Sequence, residues 1–223
     1  MSAAKKSEET SREKLIRSAE RLFAERGYNG VSVRDISNDA KVNSALVGYH
    51  FGGKEGLLTE VYTLQCEPLK AERARLLAKY TAGRKAATLE DILDAFIRPS
   101  LTVAQKSKGG KSFSRLRAIL SVENSLLLER LVSENFDNTS QIFTAALHRC
   151  LPGLTRDDVY WRFHFLLGAT YYTAMGPHRI KALSKGKCDP SEPNVTATQL
   201  IAFAAAGFRA NTASTKRKRT KKR

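Results

Sequence analysis

The sequence predicts an all-α protein. Glycine and proline are sparse, 14 and 6 among 223 residues. Nearly every apolar run repeats at three- and four-residue spacing, and no alternating strand pattern persists. Apolar residues make up 42% of the chain, enough to bury a core.

The first helix is expected from about Ser11 to Arg26. Leu15, Ile16, Ala19, Leu22 and Phe23 fall on one stripe, Thr10 or Ser11 can cap it, and Gly27 suits a left-handed end. Ser32 opens a second helix, with Asp35 at capping-box spacing and Ile36 and Ala40 facing inward. Lys41-Val42-Asn43 makes a turn. Asn43 is a good N-cap for a short third helix from Ser44 to about Phe51, which Gly52-Gly53 breaks. A fourth helix begins near Lys54 and carries Leu57, Leu58, Val61, Tyr62 and Leu64.

Further along, Thr88 with Asp91 starts a helix that runs past Pro99 to about Ala104. Lys106–Lys111 reads as a basic loop. Helical periods return over about 113–122 and 126–151, and Pro152-Gly153 separates them from a helix opened by Thr155 and Asp158 that continues to about Met175. The stretch 176–194 holds three prolines and two glycines and reads as a loop. A last helix covers about 196–209. Residues 211–223 are polar and basic without an apolar stripe, the composition of a disordered tail.

Composition narrows the function classes. No run approaches 18 consecutive apolar residues, and residues 1–12 lack the apolar core of an export signal, so a cytoplasmic protein without membrane association is expected. Three widely spaced cysteines, Cys66, Cys150 and Cys188, suit neither a disulfide framework nor a metal site. No catalytic constellation or Gly-rich phosphate loop stands out, so no enzyme and no cofactor is expected. The net charge of +16 points to a polyanionic partner. Its distribution is uneven: residues 1–60 carry 10 Lys/Arg against 9 Asp/Glu, whereas residues 211–223 carry 7 Lys/Arg and no acid. A second reading, a sequence-tolerant nucleic-acid binder driven by this tail, therefore stands beside any reading based on a motif. The tail could equally serve solubility.

The motif lies in the nearly neutral segment. Two short helices joined by a tight turn, the second only two turns long, fit a helix-turn-helix. A helix that enters a major groove about 12 Å wide needs small or polar leading residues, and Ser44, Ala45 and Leu46 meet that need. Helix starts at Ser32, Asn43 and Lys54 offer free N–H groups to phosphates.

The stretch from Val31-Ser-Val-Arg-Asp-Ile-Ser through Ala40-Lys-Val-Asn, followed by Tyr49-His-Phe-Gly-Gly-Lys-Glu-Gly-Leu-Leu58, resembles the signature of the TetR family of repressors over about residues 12–62. The resemblance implies a homodimer whose last two long helices form an intersubunit bundle, a palindromic DNA operator, and a small-molecule effector that changes the separation of the two readers. It implies that Arg34 reaches DNA, that Ser44, Ala45 and Leu46 face base edges, and that Tyr49, His50 and Lys54 hold the backbone. Two positions depart from the family pattern. Lys41 stands where a glycine is usual, and Gly48 stands where many members carry a DNA-contacting aromatic residue.

These readings divide the chain into an N-terminal arm (1–10), a three-helix helix-turn-helix domain (11–53), a larger helical ligand-binding and dimerisation domain (54–210) and the tail (211–223). Candidate pocket residues in the larger domain are Phe96, Leu101, Phe113, Leu116, Leu120, Phe136, Ile142 and Phe143, with a filled core as the alternative. Small and aromatic residues on the last long helices, Phe165, Gly168, Ala169, Tyr172, Phe203 and Phe208, are candidates for the dimer interface, with intrachain core as the alternative. The Arg-Phe-His-Phe-Leu-Leu-Gly segment is similar to fatty-acid-responsive members of the family, which implies an apolar, acyl-type effector.

Overall fold

A computed structural model describes residues 9–83, 86–106, 110–175 and 178–211. Residues 1–8 of the expected arm, 107–109 of the basic loop and 212–223 of the tail lie outside the described residues. The described elements are all helical: α1 (Ser11–Arg26), α2 (Val33–Ala40), α3 (Ala45–Phe51), α4 (Lys54–Thr81), α5 (Leu89–Lys106), α6 (Gly110–Glu123), α7 (Ser125–Cys150), α8 (Arg156–Met175), α9 (His178–Leu183) and α10 (Pro193–Arg209).

The capping residues set the starts. Thr10 and Glu13 close a reciprocal capping box on α1, Ser32 and Asp35 close one on α2, and Thr155 and Asp158 bond in the same way at α8. At α2 the Asp35 amide donates to Ser32 Oγ at 3.1 Å and the Ser32 amide donates back to Asp35 Oδ2 at 2.8 Å. Aspartate therefore reaches far enough for the role usually filled by glutamate. Pro193 occupies the start of α10, where its missing N–H is no loss. α4 and α5 continue through Pro68 and Pro99, each forgoing an internal hydrogen bond. One expectation is corrected. The stretch read as a loop over 176–194 contains the single-turn helix α9, ended by a left-handed Lys185 and Gly186. The glycines and prolines lie on either side of that helix, at positions 176–177 and 186–193, so composition averaged over the whole stretch concealed it.

The chain forms two compact units, residues 1–71 with 103–138, and residues 72–102 with 139–223. In the first, α1 buries Leu15, Ala19, Leu22 and Phe23 against Ile36, Val47, Leu57, Leu58 and Tyr62, and Leu116, Leu120, Leu131 and Phe136 of α6 and α7 complete the core. In the second, Leu93, Phe96 and Ile97 of α5 pack with Phe143, Leu147, Phe163, Leu166, Leu200 and Phe208. Phe96 meets Phe143 and Phe163 edge-on, with centroids 5.1 and 5.0 Å apart.

Candidate nucleic-acid interface

α2 and α3 are built so that one side of each joins the core and the other faces solvent. Ile36, Ser37, Ala40 and Val47 are buried, while Ser32, Arg34, Asn43, Ser44, Ala45, Gly48, Tyr49 and His50 are exposed and Leu46 is half-buried. The turn between the helices closes with two hydrogen bonds, Val42 N–H to Ser37 O at 3.0 Å and Lys41 N–H to Asn38 O at 3.2 Å. That pairing requires a left-handed residue at position 41, and Lys41 adopts φ 56° and ψ 46°. The turn keeps its geometry although its residue carries a side chain. Asn43 then caps the reading helix, because its Oδ1 accepts from the Ala45 amide at 2.8 Å. Ser44 already has helical dihedrals, so α3 starts effectively at Ser44.

Tyr49 is 82% exposed, and its ring meets His50 edge-on with centroids 5.0 Å apart. A residue this large, left in water on a helix whose other face is buried, is available to a partner. Arg34 is also exposed, and both carboxylates near it are engaged elsewhere. Asp35 is bonded to Ser32, and Asp39 accepts from Arg21 at 2.5 Å. The bonds to Ser32 hold the Asp35 pKa below its usual value, and those to Ser18 and then Arg21 do so for Asp39.

Lys54 is placed differently from the exposed group. Its Nζ donates to the carbonyls of Tyr28 and Val31, both at 2.8 Å, and lies 4.1 Å from the centre of the Tyr28 ring. Burial lowers its pKa, and Glu123 works in the opposite direction. The ammonium thus ties the α1–α2 loop to the start of α4. Glu123, at the end of α6, supports the same loop by accepting from the Tyr28 amide at 2.8 Å and the Asn29 amide at 3.3 Å. The sequence reading missed Glu123. Its partners lie about ninety positions away, and no local pattern marks such a contact.

A stripe of exposed polar and aromatic residues on a two-turn helix, capped and held by a rigid turn, is the geometry of a DNA reader. Residues 15–61 match the family model of bacterial regulatory proteins of the tetR family, and residues 94–207 match the tetracyclin repressor-like C-terminal domain. This chain belongs to the TetR family. That family is one of helix-turn-helix, DNA-binding transcriptional regulators, not of enzymes. The chain is 33% identical over 88 residues to a probable HTH-type transcriptional regulator, YttP, of Bacillus subtilis, covering 38% of this chain and 42% of that protein. It is 47% identical over 47 residues to an HTH-type transcriptional repressor, Rv3405c, of Mycobacterium tuberculosis, covering 21% of this chain and 25% of that protein. The matched segments thus span less than half of either relative. Among solved structures, the fatty acid degradation regulator FadR of Bacillus halodurans superposes with a TM-score of 0.63 at 15% identity, over 92% of this chain and 100% of that one. FadR of Bacillus subtilis, in complex with stearoyl-CoA, gives 0.64 at 18% identity, over 87% and 97%. At these identities the likeness is one of fold.

The residues expected to line an effector pocket in this TetR regulator divide between the two cores. Phe96, Leu101 and Phe143 belong to the second unit, Leu116, Leu120 and Phe136 to the first, and Phe113 packs against the first beside Tyr62. Ile142 is exposed. Of the residues expected at a dimer interface, Phe165, Tyr172 and Phe203 are 63%, 63% and 72% exposed, Gly168 is exposed and Ala169 half-buried. Phe208 is only 2% exposed and fills the core. Among the described residues no helix is long and apolar enough to cross a membrane.

Proposed function

We propose that the protein represses transcription as a homodimer that grips a palindromic operator and is released by a small apolar effector. In this reading residues 11–53 are the reader, and residues 54–210 sense the effector and dimerise. The observation that carries the DNA contact is the exposed face of α3. Ser44 and Ala45 lead into the groove, Leu46 follows, and Tyr49 and His50 meet the backbone, with Ser32, Arg34 and Asn43 at the flanking helix starts. Lys54 contributes chiefly by fixing the loop that presents Ser32.

Homodimerisation is supported by the apolar face of α8 and α10. Phe165 and Phe203 lie exposed beside an apolar groove of about 270 Å³ bordered by Leu166, Ala169, Ala204 and Gly207. Such a patch on a water-facing helix pair is costly unless covered. The apolar effector is supported by the fold shared with a FadR that holds stearoyl-CoA. In this chain Phe96, Leu101 and Phe143 are the residues of the second unit that would border an acyl chain.

Selection of bound DNA from a random pool tests the reading. The expected result is a palindrome whose half-sites repeat at about 34–36 Å on one face of the duplex. Tyr49→Ala should weaken binding to that site at least tenfold, and addition of stearoyl-CoA should release it. Recovery of unrelated sequences, or unchanged affinity of Tyr49→Ala, would overturn it.

A further inference from the structure

We propose that a cleft between the end of α7 and the start of α8 binds a small organic anion, a carboxylate or phosphate joined to a compact apolar body. The cleft has a volume of about 300 Å³. Gln141, His148 and Arg149 of α7 form one side, and Arg156, Val159 and Tyr160 of α8 the other. Among the described residues no acidic side chain borders it. Arg149 and Arg156 are both exposed, and neither forms an ion pair among the described residues. Asp158, close by in sequence, is held by Thr155.

Arg149 and Arg156 thus bring two guanidinium groups to the border of one concavity. Their planar donor forks suit the paired oxygens of a carboxylate or phosphate. His148 and Gln141 add donors on the α7 side, with Arg149. Apolar surface comes from Val159, which is buried, and from the exposed Tyr160 ring, both on α8 with Arg156. The hydroxyl of Thr144, a buried lining residue, is committed to the Ser140 and Gln141 carbonyls at 2.9 and 3.1 Å. The ligand therefore has a charged end for the arginines and a flat or compact apolar end for Tyr160 and Val159. A cavity of this size lies at the small end of ligand sites, so it takes a single ring rather than a long acyl chain. The site requires neither the operator nor the apolar effector of the proposed repressor.

Calorimetry on the full chain tests this, with phenyl phosphate and benzoate as probes and inorganic phosphate and phenol as comparisons. One site per chain is expected, at least tenfold tighter for phenyl phosphate or benzoate than for either comparison, and the tighter of the two identifies the head group. Arg149→Gln with Arg156→Gln should weaken it at least tenfold, whereas Arg179→Gln should leave it unchanged. Tyr160→Ala should weaken phenyl phosphate but not inorganic phosphate. Arg149→Lys with Arg156→Lys keeps the charge and guards against misfolding; it too should bind more weakly, because the fork is lost. The proposal is overturned by absence of binding, by binding that survives the paired arginine variants, or by equal affinity for phosphate and phenyl phosphate, which would mean an adventitious ion only.

Discussion

Lys41 illustrates how a single residue can hold a turn at some cost. A left-handed backbone with a β-carbon is strained by about 1 to 2 kcal/mol. Glycine relieves that strain but adds freedom to the unfolded chain, worth roughly 0.4–1 kcal/mol in the other direction. Lys41→Gly is therefore expected to stabilise the protein by about 0.5–1 kcal/mol, seen as a higher midpoint in urea with an unchanged slope. Gly27 is the opposite case. It has φ 76°, and a β-carbon there would lie 2.3 Å from a Glu123 carboxylate oxygen. Gly27→Ala adds strain and displaces the group that holds the Tyr28 amide, so it should lower the midpoint. Tyr80 gives a residue-scale pH signature. Burial, and then its hydrogen bond to Asp94 at 2.8 Å, push its phenol up to about 12 from 10.0. A raised pKa on a group that is neutral when protonated means this stabilisation is complete below pH 10 and fades as the pH rises through about 12. Melting temperature should fall across that window in the native protein, and Tyr80→Phe should flatten that part of the profile.

At the scale of elements, the α1–α2 loop is held from two sides, by Lys54 at the start of α4 and by Glu123 at the end of α6. Lys54→Met leaves two carbonyls without their charged donor. The expected loss is about 1 to 2 kcal/mol, in the lower part of the usual range because the site is half-exposed. The same variant separates two roles for Lys54 in DNA binding. If it acts through the loop, operator affinity falls while the slope of log K against log salt is unchanged. If its ammonium meets a phosphate, the slope becomes shallower by about 0.9. The helix starts were legible in the sequence because capping is local: Thr10, Ser32, Asn43 and Thr155 act within four residues of themselves. The family signature from Tyr49 to Leu58 was legible for the same reason. The inward turn of Lys54 and the reach of Glu123 were not, since both depend on partners distant in the chain. The division of the pocket candidates between two cores was equally hidden, because an apolar stripe shows that a face is buried but not which neighbour buries it.

At the scale of the whole molecule, charge and recognition are separated along the chain. Residues 1–60 carry a net charge of only +1, whereas residues 211–223 carry +7. Residues 61–210 carry the remaining +8; on the proposed function, specific contacts lie in the nearly neutral segment, and general attraction to DNA comes from the rest of the chain, the tail included. A chain whose affinity rested on the tail would lose operator and random DNA alike when the tail is removed. A chain whose recognition rests on α3 would lose only the shared electrostatic part. Each neutralised phosphate contributes about 0.9 to the salt slope, so seven cations set a ceiling of about six. Removing residues 212–223 should make the slope shallower by no more than that for operator and for random duplex, while their ratio of affinities at fixed salt stays constant. Titration of both duplexes between 50 and 200 mM salt checks it. A collapse of the ratio would place recognition in the tail and favour the sequence-tolerant reading. A preserved ratio with a shallower slope would leave recognition with the capped helix that presents Ser44, Ala45 and Tyr49.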